Sequence, residues 1–329
     1  DTMSADIKKI RQKIDSLDHE ILQLLNQRAE QAISIAKEKQ KQQESDNFYN
    51  PEREAQVIRR IQDLNSGPLS DDAITKLFRE VMSACLSLEA PLKVSYLGPE
   101  GTYTQLAAQK HFGSSVLSMP HSSVEEVFLS VEKRDSHYGV VPVENSTQGI
   151  VASTLDMFMK SSLRISGEIE ILINHNVLSK SRKIEDIEKI YAHPQSFAQC
   201  KNWIEKNCSN IEKINSSSNA EAALIASKEK NSAAIASEVA SDIYDLNIIS
   251  KNIEDNHNNS TRFLVVGDRD TQPSGSDKTS IIVSTKNNSG ALYELLSPLS
   301  KNKVSMTRIE SRPSKHNNWE YIFYLDLNG

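Results

Sequence analysis

The first fifty residues contain neither glycine nor proline. Nothing in that stretch interrupts a helix, and the apolar positions keep helical time. Ile7, Ile10, Ile14, Leu17, Ile21 and Leu24 recur at intervals of three and four. A single helix is expected from residue 5 to about residue 42, which at ~1.5 Å per residue is over about 50 Å long. A helix of that length cannot bury its own apolar stripe, so the seam needs a partner. Asn50-Pro51 ends the pattern and starts a second helix near Glu52. Ser70 is the expected cap of a third helix, which turns Ile74, Leu77, Phe78, Val81 and Met82 inward.

At 329 residues the chain exceeds one ordinary core, and two or three domains are expected. An apolar share of 38% with 25% charged residues is that of a globular protein. The net charge of −6 argues against nucleic acid as a partner. No apolar run reaches the roughly 18–20 residues that span a bilayer, so no membrane partner is expected. Without a signal-peptide core at the N-terminus, a cytoplasmic location is expected. Cys85, Cys200 and Cys208 are odd in number and lack zinc spacing, so they read as reduced thiols.

The pattern changes at Pro91. KVSYLG, YGVVPV, KIYAHP and SAAIAS read as strands, and residues 102–112, 123–134, 194–206 and 219–229 as helices. This alternation marks an α/β fold and runs to about Gly267. DRDTQPSGSDK follows as a linker, and then strand TSIIVST, helix GALYELLSPL and strands SMTRIES and YIFYLDL. The fold class is therefore multidomain: all-α over 5–90, α/β over 93–267, and a small α+β segment over 278–329.

Arg28, Ala32, Ile35 and Lys39 continue the first helix's stripe, and Arg11 flanks its start. Cations beside an apolar seam need acidic partners or an anionic ligand. Asp18 and Glu54 are available for internal pairing, and spacing alone cannot separate the two readings. IRQKIDSLDHEILQLLNQRAEQAISIAKEK followed by NPEREAQVI resembles the chorismate mutase domain of the family fused to prephenate dehydratase. The resemblance implies an interlaced helical homodimer or higher homo-oligomer. It gives Arg11 (from the partner chain) and Arg28 to the carboxylates of chorismate, and Lys39 to a carboxylate and the ether oxygen. Glu54 accepts from a substrate hydroxyl, Arg53 lines the site, and Glu89 faces the ether oxygen. The rearrangement is pericyclic and needs no nucleophile, only positioning and preorganised charge. Some relatives carry Gln in place of Glu89, and a carboxyl donates a hydrogen bond only when protonated. Asn50 stands where some relatives have an acidic residue.

YLGPEGTYTQLAA has only Gly98 and Gly101 and no lysine, so neither a dinucleotide fingerprint nor a P-loop is present. A helix N-terminus after such a turn can bind a carboxylate. VPVENSTQG, YAHPQSFAQC, SSSNAEAA and NNSTRFLVV each read as turn or cap chemistry when taken singly. In this order they resemble prephenate dehydratase, whose fold is two α/β lobes of the periplasmic-binding-protein type with the site in the cleft. The resemblance implies that Thr261 donates to the hydroxyl lost from prephenate. Asn145, Ser146, His193, Gln199, Ser217, Arg262 and Phe263 are then the substrate-binding set. Arg262 either holds a carboxylate or orders the strand start. Ala192 replaces a Ser or Thr common before the His-Pro pair. No metal or cofactor is implied.

SGALYELLSPL and RIESRPSK resemble the two phenylalanine-binding motifs of an ACT regulatory domain. The implied effector residues for L-phenylalanine are Gly290, Ala291, Leu292, Glu310, Ser311, Arg312 and Pro313. An ACT domain is βαββαβ, whereas this segment supplies βαββ, so it is expected to be truncated. The resulting expectation is a bifunctional enzyme converting chorismate to prephenate and prephenate to phenylpyruvate under phenylalanine feedback. A non-catalytic amino-acid sensor would leave the cation set and Thr261 without a use. A dehydrogenase fusion would need the missing dinucleotide fingerprint.

Overall fold

The computed structural model describes residues 2–41, 49–285, 288–313 and 321–329. The chain divides into two compact units, Asp1–Pro51 with Ile58–Asp270, and Glu52–Val57 with Thr271–Gly329.

Three helices open the chain: α1 (Thr2–Lys41), α2 (Pro51–Leu64) and α3 (Asp71–Ser87). Pro51 occupies the first position of α2, where its missing N–H costs nothing. Ser70 caps α3 by accepting from the Ala73 amide. Leu77 does not face inward as expected: it is 56% exposed, while Ile74, Phe78, Val81 and Met82 are half-buried. The stripe on α1 is also open. Ile10, Leu17 and Leu24 are more than half exposed; among the described residues α1 buries Ala36 alone, and the helix packs against α3.

The first α/β lobe follows with β1 (Lys93–Leu97), α4 (Tyr103–Phe112), β2 (Leu117–His121), α5 (Val124–Glu132), β3 (Tyr138–Asn145), β4 (Gly149–Ile150), α6 (Ala152–Lys160) and β5 (Arg164–Leu172). The second lobe contains β6 (Asn176–Ser179), β7 (Lys189–Ala192), α7 (Pro194–Gln199), α8 (Lys201–Asn207), β8 (Glu212–Asn215), α9 (Asn219–Lys228), β9 (Ser232–Ala236), α10 (Glu238–Ile243) and β10 (Asn247–Ser250). The chain then returns as β11 (Ser260–Gly267), which inserts between β3 and β5, so the first sheet runs β2-β1-β3-β11-β5 with β4 attached to β3. The second sheet runs β10-β6-β9-β7-β8. Two short segments, 173–175 and 251–259, therefore connect the lobes.

The buried strands explain the composition of this region. Val140, Val141, Val143, Val265 and Val266 are at most 3% exposed, as expected of central strands covered on both faces. Gly139 lets α5 sit close on β3, because a Cβ there would meet Val127 Cγ1 at 2.7 Å. Helix α3 is fastened to the far end of α4. Arg79 Nη1 donates to the carbonyls of Lys110 (2.7 Å) and His111 (3.3 Å), which lack partners inside their own helix. Glu80 accepts from the amide and hydroxyl of Ser114, and Ser83 Oγ accepts from the Ser115 amide.

In the second unit, β12 (Lys278–Thr285), α11 (Ala291–Lys301), β13 (Ser305–Pro313) and β14 (Tyr321–Asn328) form an antiparallel sheet in the order β12-β14-β13 with α11 against it. Phe323, Leu325 and Leu327 of β14 form its core with Leu295, Leu296 and Leu299 of α11.

Candidate active sites

On the helical segment, Arg11 is exposed and Arg28 and Lys39 are half-buried on α1. Their separations along one rigid rod matter. Arg11 and Lys39 are 28 residues apart, or about 42 Å at ~1.5 Å per residue. One copy of α1 cannot place both on one small dicarboxylate. Glu89, just past the end of α3, does face Lys39. Its Oε2 is buried without a hydrogen-bond partner, and burial raises its pKa above the ordinary value, opposed by the Lys39 charge. Arg53 is exposed and Glu54 half-buried on the first turn of α2, in the residues that belong to the second unit.

In the first lobe, β3 and β11 bring three of the predicted dehydratase residues together, Asn145, Ser146 and Thr261. Thr261 stands directly opposite Asn145 in the strand register, and Asn145 Nδ2 donates to Thr261 Oγ1 at 2.8 Å. Thr261 is only 9% exposed. Ser146 Oγ donates to Asn259 Oδ1 (3.1 Å) and accepts from the Ser260 amide (3.0 Å), holding the end of β3 to the start of β11.

Alternation along β11 turns Arg262 to the other face of the sheet. Arg262 Nε bonds Glu168 Oε2 at 2.9 Å, and its Nη1 lies 3.8 Å from Glu144, so it ties β11 to β5 and β3. Of its two readings, ordering the strand is the one these partners favour. Phe263 is 2% exposed and packs in the core with Val94, Tyr96 and Ile171. Expected among the substrate-binding residues, it shares Thr261's parity and sits deeper in the sheet.

In the second lobe, His193 caps α7 by accepting from the Gln195 amide (3.3 Å), and its own amide donates to Asn219 Oδ1 (3.0 Å). Asn219 Nδ2 also reaches Ser196 Oγ (2.7 Å), joining the start of α9 to α7. Ser217, also expected to bind substrate, stands just before α9. Its amide and hydroxyl both go to Glu221, while Ser218 accepts from the Glu221 amide, a reciprocal cap of α9. Gln199 Oε1 lies 2.7 Å from His175 Nε2 in the first inter-lobe connection.

That connection was invisible in the sequence. Tyr103 Oη donates to the Asn174 carbonyl (2.5 Å) and lies 3.3 Å from His175 Nδ1. The buried Glu254, from the second connection, accepts from the His175 amide (2.8 Å). Burial lowers the His175 pKa, opposed by its contacts with Gln199 and Glu254. The glycine turn before α4 serves the same junction. Ser237 Oγ donates to the Gly101 carbonyl and Tyr244 Oη to the Glu100 carbonyl, each at 2.8 Å. Gly101 has φ +87°, and a Cβ there would meet Tyr244 at 3.1 Å. These are isolated polar residues in unrelated segments, so no local pattern marks them.

In the second unit, Gly290 sits at the N-cap of α11 with φ 84°, followed by half-buried Ala291 and exposed Leu292. Glu310, Ser311, Arg312 and Pro313 form the last residues of β13, paired with Tyr324, Phe323, Ile322 and Tyr321. Ser314 and Lys315, the end of that motif, lie outside the described residues. Among the described residues no cluster of three His, Cys, Asp or Glu could hold a metal ion, and no helix is long and apolar enough to cross a membrane.

Comparison with known proteins follows this division. The family model for chorismate mutase type II matches residues 10–90, and that for prephenate dehydratase matches residues 94–271. The bifunctional chorismate mutase/prephenate dehydratase of Pseudomonas aeruginosa is 48% identical, over 98% of this chain and 90% of its own length. That of Aquifex aeolicus is 45% identical over the same shares. A solved prephenate dehydratase from Arthrobacter aurescens, in complex with L-Phe, is 29% identical with a TM-score of 0.66, over 72% of this chain and 80% of its own. The chain therefore belongs to the bifunctional chorismate mutase/prephenate dehydratase family.

Proposed function

We propose that the two activities of the family are divided between the helical segment and the two-lobed segment, with chorismate rearranged on the first and prephenate dehydrated on the second. The mutase reading places chorismate between the cations of α1 and Glu89. Fixed cations favour the compact dicarboxylate, and a donor at the ether oxygen stabilises charge that develops as the C–O bond breaks. A half-buried carboxyl whose pKa is raised by burial suits that donor role.

The distance between Arg11 and Lys39 on one rod supports a site completed by Arg11 of a second copy. The open stripe on α1 supports the same reading, since Ile10, Leu17 and Leu24 are more than half exposed. The assembly proposed is a homodimer or higher homo-oligomer sealed along α1.

The observation that carries the dehydratase reading is the Asn145–Thr261 bond at 2.8 Å on adjacent strands. In the reaction, the bond to the ring carboxylate breaks and its electron pair completes the aromatic ring. The ring C–O bond breaks at the same time, and its pair leaves on oxygen as hydroxide, which takes a proton from solvent to become water. The products are phenylpyruvate, CO₂ and water. A hydrogen bond from Thr261 lowers the cost of charge on the departing oxygen. Phenylalanine is the proposed effector at Gly290–Leu292 and Glu310–Pro313, on a βαββ unit read as part of an ACT domain.

A coupled assay tests the reading. The purified chain supplied with chorismate, without NAD, should release phenylpyruvate, and Thr261→Ala should stop at prephenate. Near wild-type phenylpyruvate formation by Thr261→Ala would remove that residue from the reaction.

A further inference from the structure

The orientation of the Asn145 amide is decided by its neighbours. Its Oδ1 accepts from the Thr147 amide (3.0 Å), the Thr147 hydroxyl (2.6 Å) and the Gln148 amide (3.1 Å). Two of these are backbone N–H groups, which only donate. Turning the amide over would set its NH₂ against both of them. The Nδ2 group is thereby held toward Thr261, and it donates to Oγ1 at 2.8 Å. A hydroxyl that accepts on one side keeps its own proton for another acceptor. Among the described residues no protein group accepts that proton.

We propose that Asn145 is a positioning residue of the dehydration and not a substrate contact. It acts through Thr261, holding the hydroxyl oxygen as the acceptor so that its O–H is aimed at the departing oxygen. The hairpin turn at Thr147 and Gln148 belongs to the device, because its backbone amides fix the polarity of Asn145. This proposal rests on the reading of Thr261 as the donor to the leaving hydroxyl.

The polarity gives a test in which a conservative change is worse than a severe one. Asn145→Asp keeps the shape and the acceptor for the turn amides, but its second oxygen faces Thr261 as an acceptor. The Thr261 proton is then drawn to the carboxylate and away from the substrate. Asn145→Ala leaves the hydroxyl free to rotate. A role confined to the turn predicts that Asp is milder than Ala, because Asp forms the same turn. The proposal predicts that kcat on prephenate is at least about tenfold lower for Asp than for Ala, a part of the roughly 10²–10³ that losing one whole donor costs. Asn145→Ser, whose hydroxyl can donate, should exceed both.

A negative charge could also repel the dianionic substrate directly, so the two changes are repeated in a Thr261→Ala background under single-turnover conditions. If Asn145 acts through Thr261, the Asp and Ala variants become equal there. An Asp variant as active as Ala or more so overturns the proposal, as does an Asp–Ala gap of the same size without the Thr261 hydroxyl. Full activity of Thr261→Ala alone would instead overturn the donor reading on which it rests. Circular dichroism of each variant separates these outcomes from loss of fold.

Discussion

Glu89 gives the sharpest quantitative prediction for the mutase reaction. Its carboxyl sits just past α3 with one oxygen buried and without a partner, and burial raises its pKa against the opposing charge of Lys39. A carboxyl can donate to the ether oxygen only while protonated. Above its pKa the protonated fraction falls tenfold per pH unit, which is ~1.4 kcal/mol of donor availability per unit. Mutase kcat/KM should therefore fall about tenfold per unit as pH rises past that point. The fall should level off after roughly two to three units, because losing one donor of this kind costs about 10²–10³ in rate. Glu89→Gln keeps a donor at every pH and should flatten the profile, with its largest advantage over the parent at alkaline pH. Initial rates of chorismate consumption at low substrate, from mildly acidic to alkaline pH, measure both. A parent profile already flat across that range, or a Gln variant with the same slope, would refute the donor role. Stability offers a second readout with a definite sign. The folded state holds this proton more tightly than the unfolded chain, so Glu89's contribution to stability is greatest at low pH. It declines as pH rises from the ordinary carboxyl value through the raised folded one. Glu89→Gln should remove that decline in urea midpoints without changing the denaturant slope.

The other expectations concern the division of labour and the core. Arg28→Ala should abolish mutase turnover and leave dehydratase turnover on supplied prephenate nearly intact; parallel loss of both in a folded variant would argue against separate sites. Leu17→Glu puts a charge in the open stripe of α1. It should lower the sedimenting mass and make mutase activity depend on protein concentration while sparing the dehydratase; an unchanged mass would show that the stripe is not the interface. Phe263→Ala should cost about 3–5 kcal/mol by the usual loss for a buried aromatic. A urea midpoint close to the parent's would contradict its place in the core.

Much of this architecture was legible locally. The absence of glycine and proline over fifty residues, with Pro51 and Ser70 as boundary signals, specified three helices, and they are α1, α2 and α3. The strands KVSYL, KIYA and SAAIA and the helices after them follow from short apolar runs and their caps. The four motifs of the two-lobed segment, in their order, put Thr261 and Asn145 forward as candidates. What the sequence could not show is pairing across distance. That β11 returns from the second lobe to lie between β3 and β5 depends on sheet register, not on any local pattern, and it is this return that sets Thr261 opposite Asn145. Register also separates neighbours that one motif presents together: Thr261 meets Asn145, Arg262 meets two carboxylates, and Phe263 goes to the core. The partner of the Ser217 hydroxyl, the Glu221 carboxylate four residues on, is likewise a matter of the folded turn. Hydrogen-bond polarity at Asn145 is decided the same way, by which backbone amides the folded turn places around it. The sequence by itself determined which elements form and which residue types are available for the chemistry. Only the tertiary structure decided their partners, because a side chain's hydrogen-bonding role depends on groups that are far apart until the sheets assemble.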